Sequence, residues 1–390
     1  MAETHRSPLP PKTPPAKPNR FFVVYVFAIV LAISIGFVVL LFLRGDASLS
    51  SEPLPDGQKE AAFFACDYAE AQSLYPMPEG LLRLSSEKLS FLSFSGTETA
   101  AVSVSMGNPK CVIAGDYAVI FDDGGFTYSV FKEKDFVYAQ HSQGTIYSAQ
   151  ISVNGVCALL TDSPGSKGSV EVSDKSGNLI SRWESVESGY PVGLALSADG
   201  RYLSISLLNT DAVVLQSYVK RFSIETKDGK MQMTKVGDHM LPDALAFPMI
   251  VQEGSTLYLS GPTAVVRIRE DHAPEVVENI GQVFSVFPVG DTVGVVYSDG
   301  LGRDIRYATV DWGRLGLSEN SVFLGNQLMD TDRVGGDLIV AADDSVLRID
   351  LLSAVILDSR EMSAELIRAG FTARQSVICV THLGVEEIFV

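Results

Sequence analysis

Apolar and polar positions along the chain fall into distinct regimes. Phe21–Leu43 is a run of twenty-three residues without a single charge. At ~1.5 Å rise per residue, such a stretch spans a hydrocarbon layer of ~30 Å, which predicts one transmembrane helix. The preceding residues 1–20 hold six prolines. That density forbids helix and favours an extended tail. Residues 44–58 are polar with Pro and Gly and read as a linker. Lys59–Tyr75 reads as either a short helix or a first strand, because AAFFACDYAEAQ carries only partial helical periodicity.

From Gly80 onward the pattern changes to short apolar runs that recur. They begin at or just after Gly80, Gly115, Asn154, Asp199, Gly254, Asp291, Gly336 and Arg374, at spacings of 35 to 55 residues. Most are followed, after a short turn, by a second run such as KLSFLSF, FTYSVF or SVLRID. Runs such as YAVIF and LIVAA are apolar at every position, so both faces of those strands must be covered. Stacked propeller blades cover their strands in this way, and a four-stranded unit of roughly 40–45 residues matches one blade. An immunoglobulin-like sandwich repeats only at about 100 residues, and helical solenoids need a 3.6-residue period that is missing here. Asp199-Gly200, with similar pairs at Gly124-Gly125, Gly177-Asn178 and Asp228-Gly229, supplies the hairpin turns.

The expected fold class is therefore all-β: a β-propeller of eight blades after one N-terminal transmembrane helix. Seven blades is the alternative, if the first or last run belongs to a shared blade. The expected division is 1–20 cytoplasmic Pro-rich tail, 21–43 transmembrane helix, 44–58 linker and 59–390 extracytoplasmic propeller. The last run, VEEIFV from Val385, would be an aggregation-prone edge if left open. It is expected to close the ring on the first repeat, between Leu81 and Ser105.

Charge refines the placement. The net charge is −17, split as +4 over residues 1–44 and −21 over the remainder. Basic residues before the apolar run put the N-terminus in the cytoplasm and the large domain outside. A cleaved signal peptide would have an apolar core of only about 7–15 residues, so an uncleaved anchor is the better reading. The acidic domain repels nucleic acid and anionic headgroups.

Candidate chemistry is sparse. Cys66, Cys111, Cys157 and Cys379 form no CxxC and have no His at ligand spacing, which argues against zinc. Cys157 and Cys379 lie inside apolar runs, so no structural disulfide is expected. Ser85-Ser86-Glu87-Lys88 fits S-x-x-K, but S-D-N and K-T-G are missing and its context is strand–turn–strand. His5, His141, His239, His272 and His382 are scattered, and His141 reads as a solvated loop residue. The pairs Asp122/Asp123 and Asp343/Asp344 lack the spaced calcium-loop pattern and read as solvated turn carboxylates. No catalytic, cofactor-binding or metal-ligating residue is singled out, and no cofactor is expected.

Three stretches carry a resemblance: LLRLSSEKLSFLSFSG, NPKCVIAGDYAVIFDDGG, and the segment from GSVEVSDKSGNLISRW to LALSADGRYLSIS. They resemble quinoprotein-type and WD-repeat-type propellers. Anchor and propeller together resemble an uncharacterised, domain-of-unknown-function family of single-pass bacterial membrane proteins, best over residues 80–225. DKSGNLISRW is similar to the repeat of pyrroloquinoline-quinone dehydrogenases. Those enzymes place a docking Trp in most blades, whereas this chain has only Trp183 and Trp312. What the resemblance implies is a fold and a place, without a mechanism. The expected role is a non-catalytic binding or assembly platform at the bacterial cell envelope, with a protein or glycan partner, the membrane as its support and no nucleic acid. The alternative is an envelope-polymer hydrolase or lyase with a site at the propeller channel.

Overall fold

A strand that is apolar at every position has two faces to bury, and this requirement organises the molecule. The computed structural model describes residues 64–211, 215–241, 249–269, 272–299 and 302–389. The predicted tail, membrane span and linker, 1–58, lie outside the described residues. Among the described residues no helix is long and apolar enough to cross a membrane.

Among the described residues, thirty-two strands form eight four-stranded antiparallel sheets. Blade 1 is β2 (Leu74–Met77), β3 (Gly80–Leu84), β4 (Lys88–Leu92) and β5 (Glu98–Ser103). Blade 2 is β6 (Pro109–Ala114), β7 (Tyr117–Asp122), β8 (Thr127–Lys132) and β9 (Asp135–His141). Blade 3 is β10 (Ile146–Ile151), β11 (Cys157–Thr161), β12 (Ser169–Ser173) and β13 (Leu179–Glu184). Blade 4 is β14 (Tyr190–Leu196), β15 (Tyr202–Asn209), β16 (Gln216–Lys227) and β17 (Lys230–Met240). Blade 5 is β18 (Met249–Glu253), β19 (Thr256–Ser260), β20 (Val265–Ile268) and β21 (Glu275–Val277). Blade 6 is β22 (Gln282–Val289), β23 (Thr292–Ser298), β24 (Ile305–Asp311) and β25 (Gly316–Gly325). Blade 7 is β26 (Leu328–Val334), β27 (Asp337–Ala342), β28 (Ser345–Asp350) and β29 (Val355–Glu361). Blade 8 takes β30 (Leu366–Phe371), β31 (Val377–Thr381) and β32 (Gly384–Ile388) from the C-terminal end and β1 (Phe64–Ala65) from the N-terminal end.

Each of the eight recurring apolar runs forms the second strand of its blade, and the paired run that follows forms the third. Alternation then divides the side chains between two neighbours. On β7, Ala118 and Ile120 join the core between blades 1 and 2, while Val119 and Phe121 join the core between blades 2 and 3. The hydrophobic core is accordingly not central. It consists of eight clusters, one at each blade junction.

The outermost strands are largely exposed, as in β5 and β29. Bulges interrupt the pairing of β5, β9, β13, β17, β25 and β29 with their neighbours. A bulge twists an open edge away from other chains, which limits edge-to-edge association.

Ring closure differs from the expectation. β32 packs Val385 against Leu81 and Leu92 of the first repeat but does not pair its backbone with any strand between Leu81 and Ser105. It pairs antiparallel with β1, Phe64 opposite Val385 and Ala65 opposite Gly384, and the Cys66 N–H donates to the Leu383 carbonyl at 3.2 Å. The reason is register within the blade. VEEIFV is a third strand, so its open side needs a fourth strand, whereas the repeat from Leu81 already belongs to a complete sheet. Lys59–Tyr75 therefore supplies both a strand and a helix, α1 (Tyr68–Gln72), whose N-cap Asp67 accepts the Glu70 N–H at 2.8 Å. The Phe64 ring lies over Gly96 in the β4–β5 turn, where a Cβ would meet Phe64 Cγ at 2.7 Å. Gly96 also has φ +78°, so both space and backbone require glycine there.

Replacing Phe64 by Ala is expected to cost ~2–3 kcal/mol, because its half-buried ring seals the junction of blades 8 and 1. Gly96→Val, which displaces the same ring, should cost at least as much. Denaturant unfolding of the full chain checks both. Unchanged midpoints would show that β1 does not hold the ring closed.

Candidate functional site

The first strand of each blade lies on the inside of the ring, and these strands bring residues distant in sequence together. In five of them, one extra residue bulges: Tyr147, Val192, Phe284, Met329 and Ile367. All five are apolar or aromatic, and all sit near the start of the strand. A bulge re-aims its side chain, which strict alternation could not do. Val192 and Phe284 are thereby turned toward a recess of about 360 Å³ in the inner wall, shared by blades 3 to 7. Phe287 and Val251 add apolar surface; Ser148, Gln150, Ser285 and Thr331 add hydroxyl and amide groups.

Charged groups on the inner strands pair away from the recess: Arg333 of β26 faces Glu253 of β18 at 3.8 Å. Asp330 and Asp332 flank Thr331 on β26 and turn to blade 8. The Ala369 N–H donates to Asp330 Oδ2 at 3.2 Å, and the Phe371 N–H donates to Asp332 Oδ2 at 2.7 Å. Their other oxygens accept the N–H groups of Thr331 and Arg333 at 2.9 and 2.8 Å. Burial pushes the Asp330 carboxyl up to about 6, against the opposing effect of these hydrogen bonds and of Arg368. Burial also raises Asp332. Arg368 in turn reaches blade 1. It donates to the carbonyls of Gln72 and Leu74 at 2.9 and 3.1 Å, with its guanidinium 4.2 Å from the centre of the Tyr75 ring. These side chains staple blades 7, 8 and 1 at the axis.

Two clefts open on the face that carries the first-to-second and third-to-fourth strand turns. One, of about 150 Å³, lies between blades 1 and 2. Its floor includes Met77, Leu81 and Phe91, and its rim carries Glu79, Asp116 and Glu133 beside Lys134. The second, of about 740 Å³, lies between blades 3 and 4 and is lined by Asp174, Lys175, Asp199, Arg201, Glu225 and neighbours.

The residues flagged by sequence are placed as follows. In Ser85-Ser86-Glu87-Lys88, the Ser85 hydroxyl donates to the Lys88 carbonyl at 2.8 Å and accepts the Lys88 N–H at 2.9 Å, so the motif is a closed turn. The acidic pairs clamp loops. Asp122 accepts the Asn108 N–H at 2.7 Å, and Asp343 accepts those of Gln327 and Asn326 at 2.9 and 3.0 Å. Asp162 repeats the device on Thr145 at 2.6 Å. Each carboxylate stands at the end of the second strand of its blade and fixes the connection from the preceding blade. DKSGNLISRW forms a hairpin turn held by Asp174, with Trp183 packed on Phe222 across the blade 3–4 junction. Trp312 lies 4.3 Å from the Arg267 guanidinium, which is paired to Glu275. The four cysteines are unpaired, with Cys157 and Cys379 buried and their thiols pushed up to about 12 by burial. His141 ends β9 and is exposed, and among the described residues no three His, Cys, Asp or Glu side chains gather to hold a metal.

Sequence reasoning missed the recess and the staples. The recess has no local signature, because its wall comes from five blades. The staples had one: Asp330-Thr331-Asp332 puts two carboxylates on one face of a strand.

Strand order, closure and inner wall together define an eight-bladed β-propeller. The chain belongs to the family of unknown function DUF5711, which matches residues 64–308. No curated protein matches it in sequence. Among solved structures it is similar to BamB from Moraxella catarrhalis, at 13% identity and a TM-score of 0.55, covering 84% of this chain and 96% of that one. It is also similar to the computationally designed Ika8 protein, at 11% identity and a TM-score of 0.54 over 85% and 96% of the two chains. Apo AztD from Citrobacter koseri matches at 11% identity and a TM-score of 0.50 over 75% and 86%. These likenesses establish the fold.

Asp330 gives a pH signature. Its folded-state value of about 6 lies above the ordinary 3.8, so the folded chain holds this proton more tightly than the unfolded one. The resulting stability is fully present below pH ~3.9 and is lost as pH rises through about 6. The stability of wild type relative to Asp330→Asn should therefore fall by ~2 kcal/mol between pH 4 and pH 7.5. Urea unfolding at both pH values checks this, and a pH-independent difference would place Asp330 in water.

Proposed function

We propose that the protein is a non-catalytic binding or assembly platform at the bacterial cell envelope. Phe21–Leu43 anchors it in the membrane with the N-terminus in the cytoplasm, and the propeller stands outside. The observation that carries the binding role is the pair of clefts at the blade 1–2 and blade 3–4 junctions, which open on the same face of a closed ring. A closed ring holds loops from different blades in fixed relation, which suits recognition of a macromolecular partner without reorganisation. The partner is a protein or a glycan of the envelope. The anchor and its direction rest on the uncharged run and its basic N-terminal flank. Convergent carboxylates or His at the channel mouth would favour the enzymatic alternative; the two inner-wall carboxylates of blade 7 are bonded to backbone N–H groups of blade 8.

Two experiments test this reading. The intact chain, purified from detergent-solubilised membranes, is expected to bring down a specific partner that is lost on Asp116→Lys with Glu133→Lys, while the melting temperature stays within a few degrees. Identical co-purification from wild type and variant would move the binding face elsewhere. Protease added to intact spheroplasts should remove the propeller. Protection of the propeller with loss of the N-terminal tail would reverse the topology.

A further inference from the structure

The recess in the inner wall has a chemical character unlike the rest of the molecule. The chain carries 47 acidic and 30 basic residues, yet none of the thirteen residues lining this recess is titratable. Its volume of about 360 Å³ falls within the ~300–1,000 Å³ range of small-molecule sites. Phe284 and Val192 reach it only because their strands bulge, and both bulges add a residue that pairing does not need. Phe287 extends the aromatic surface, and Ser148, Gln150 and Ser285 place short polar groups around it. Of the carboxylates on the inner strands next to it, Asp330 and Asp332 are committed to blade 8, and Glu253 of β18 pairs with Arg333 of β26 at 3.8 Å.

We propose that this recess is a binding site for an uncharged small molecule with an apolar body and one or two hydrogen-bonding groups. A charged ligand would give up part of its hydration and meet no opposite charge on this lining, which is unfavourable. A purely apolar ligand would strand the hydroxyls and the amide that line the wall. A neutral amphipathic molecule satisfies both constraints. This site is separate from the junction clefts on the outer face and does not depend on what they bind.

The test uses three probes on one scaffold with the full chain in detergent micelles at 0.5 M salt, which screens the long-range field of the acidic domain. N-phenyl-1-naphthylamine is neutral, 8-anilino-1-naphthalenesulfonate is its anionic relative, and a trimethylammonium derivative is the cation. Two variants, Ser285→Phe and Thr331→Phe, fill the recess from blades 6 and 7. They carry the same micelle and so report background partitioning, and circular dichroism and melting confirm their folds. The expected result is saturable binding of the neutral probe at least tenfold tighter than either charged one, reduced at least tenfold in each folded variant. Three results would overturn the proposal: no saturable neutral binding above the variants' background, equal binding of the charged probes, or full binding retained in both filled variants. If one variant fails to fold, the other decides.

Discussion

A ring of sheets has two free ends, and the fold depends on how they meet. Here the junction is made within a single blade, by two residues of β1 laid along β32. The interaction is small in length but large in consequence. It converts the C-terminal three-stranded sheet into a complete blade, covers the open side of β32, and brings α1 to the junction with blade 1. Ala71, Leu74 and Leu81 on one side and Ile378, Val380 and Val385 on the other then form a buried cluster of the same kind as the other seven. Without it, two apolar blade faces would lie open to water, and each buried aliphatic side chain in them contributes ~1.5–3 kcal/mol.

Closure also sets the electrostatics of the inner wall. Asp330 and Asp332 reach across to blade 8, and Arg368 reaches from blade 8 to blade 1. The staples on either side of the closing blade are ionic groups bonded mainly to backbone. They leave the recess shared by blades 3 to 7 lined by uncharged side chains, with the Arg333–Glu253 pair at the far ends of β26 and β18. The bulged inner strands complete this division. Extra residues at Val192 and Phe284 put apolar side chains where the alternation of a regular strand would not place them.

The middle strands of each blade were legible because burial on both faces leaves an unbroken apolar run, as in Tyr117–Phe121 and Leu338–Ala342. Their recurrence was enough to identify a propeller and count eight blades. The outer strands were not legible. β5 and β29 are largely exposed, and an edge strand that buries neither face carries no clear hydrophobic period to read. The closing strand was misplaced for a different reason. Phe64 and Ala65 pair with residues more than three hundred positions away, and a two-residue strand has no periodicity to read. Among candidate residues, the turn reading of Ser85–Lys88 agrees with the geometry, because a serine turn leaves a local signature, whereas Asp122 and Asp343 bond backbone N–H groups of the preceding inter-blade connection, a non-local role that a reading as solvated turn carboxylates does not contain. The recess and its bulges left none, since register is a property of strand pairs.

Hydrogen exchange of the full chain, resolved by peptide, tests ring closure most directly. Strand β32 should exchange nearly as slowly as its buried neighbour β31, because β1 pairs its second edge and blade 1 covers it. The open outer strand β29 serves as the internal reference for an uncovered edge. Exchange of Gly384–Ile388 as fast as that of Val355–Glu361 would contradict the closed ring.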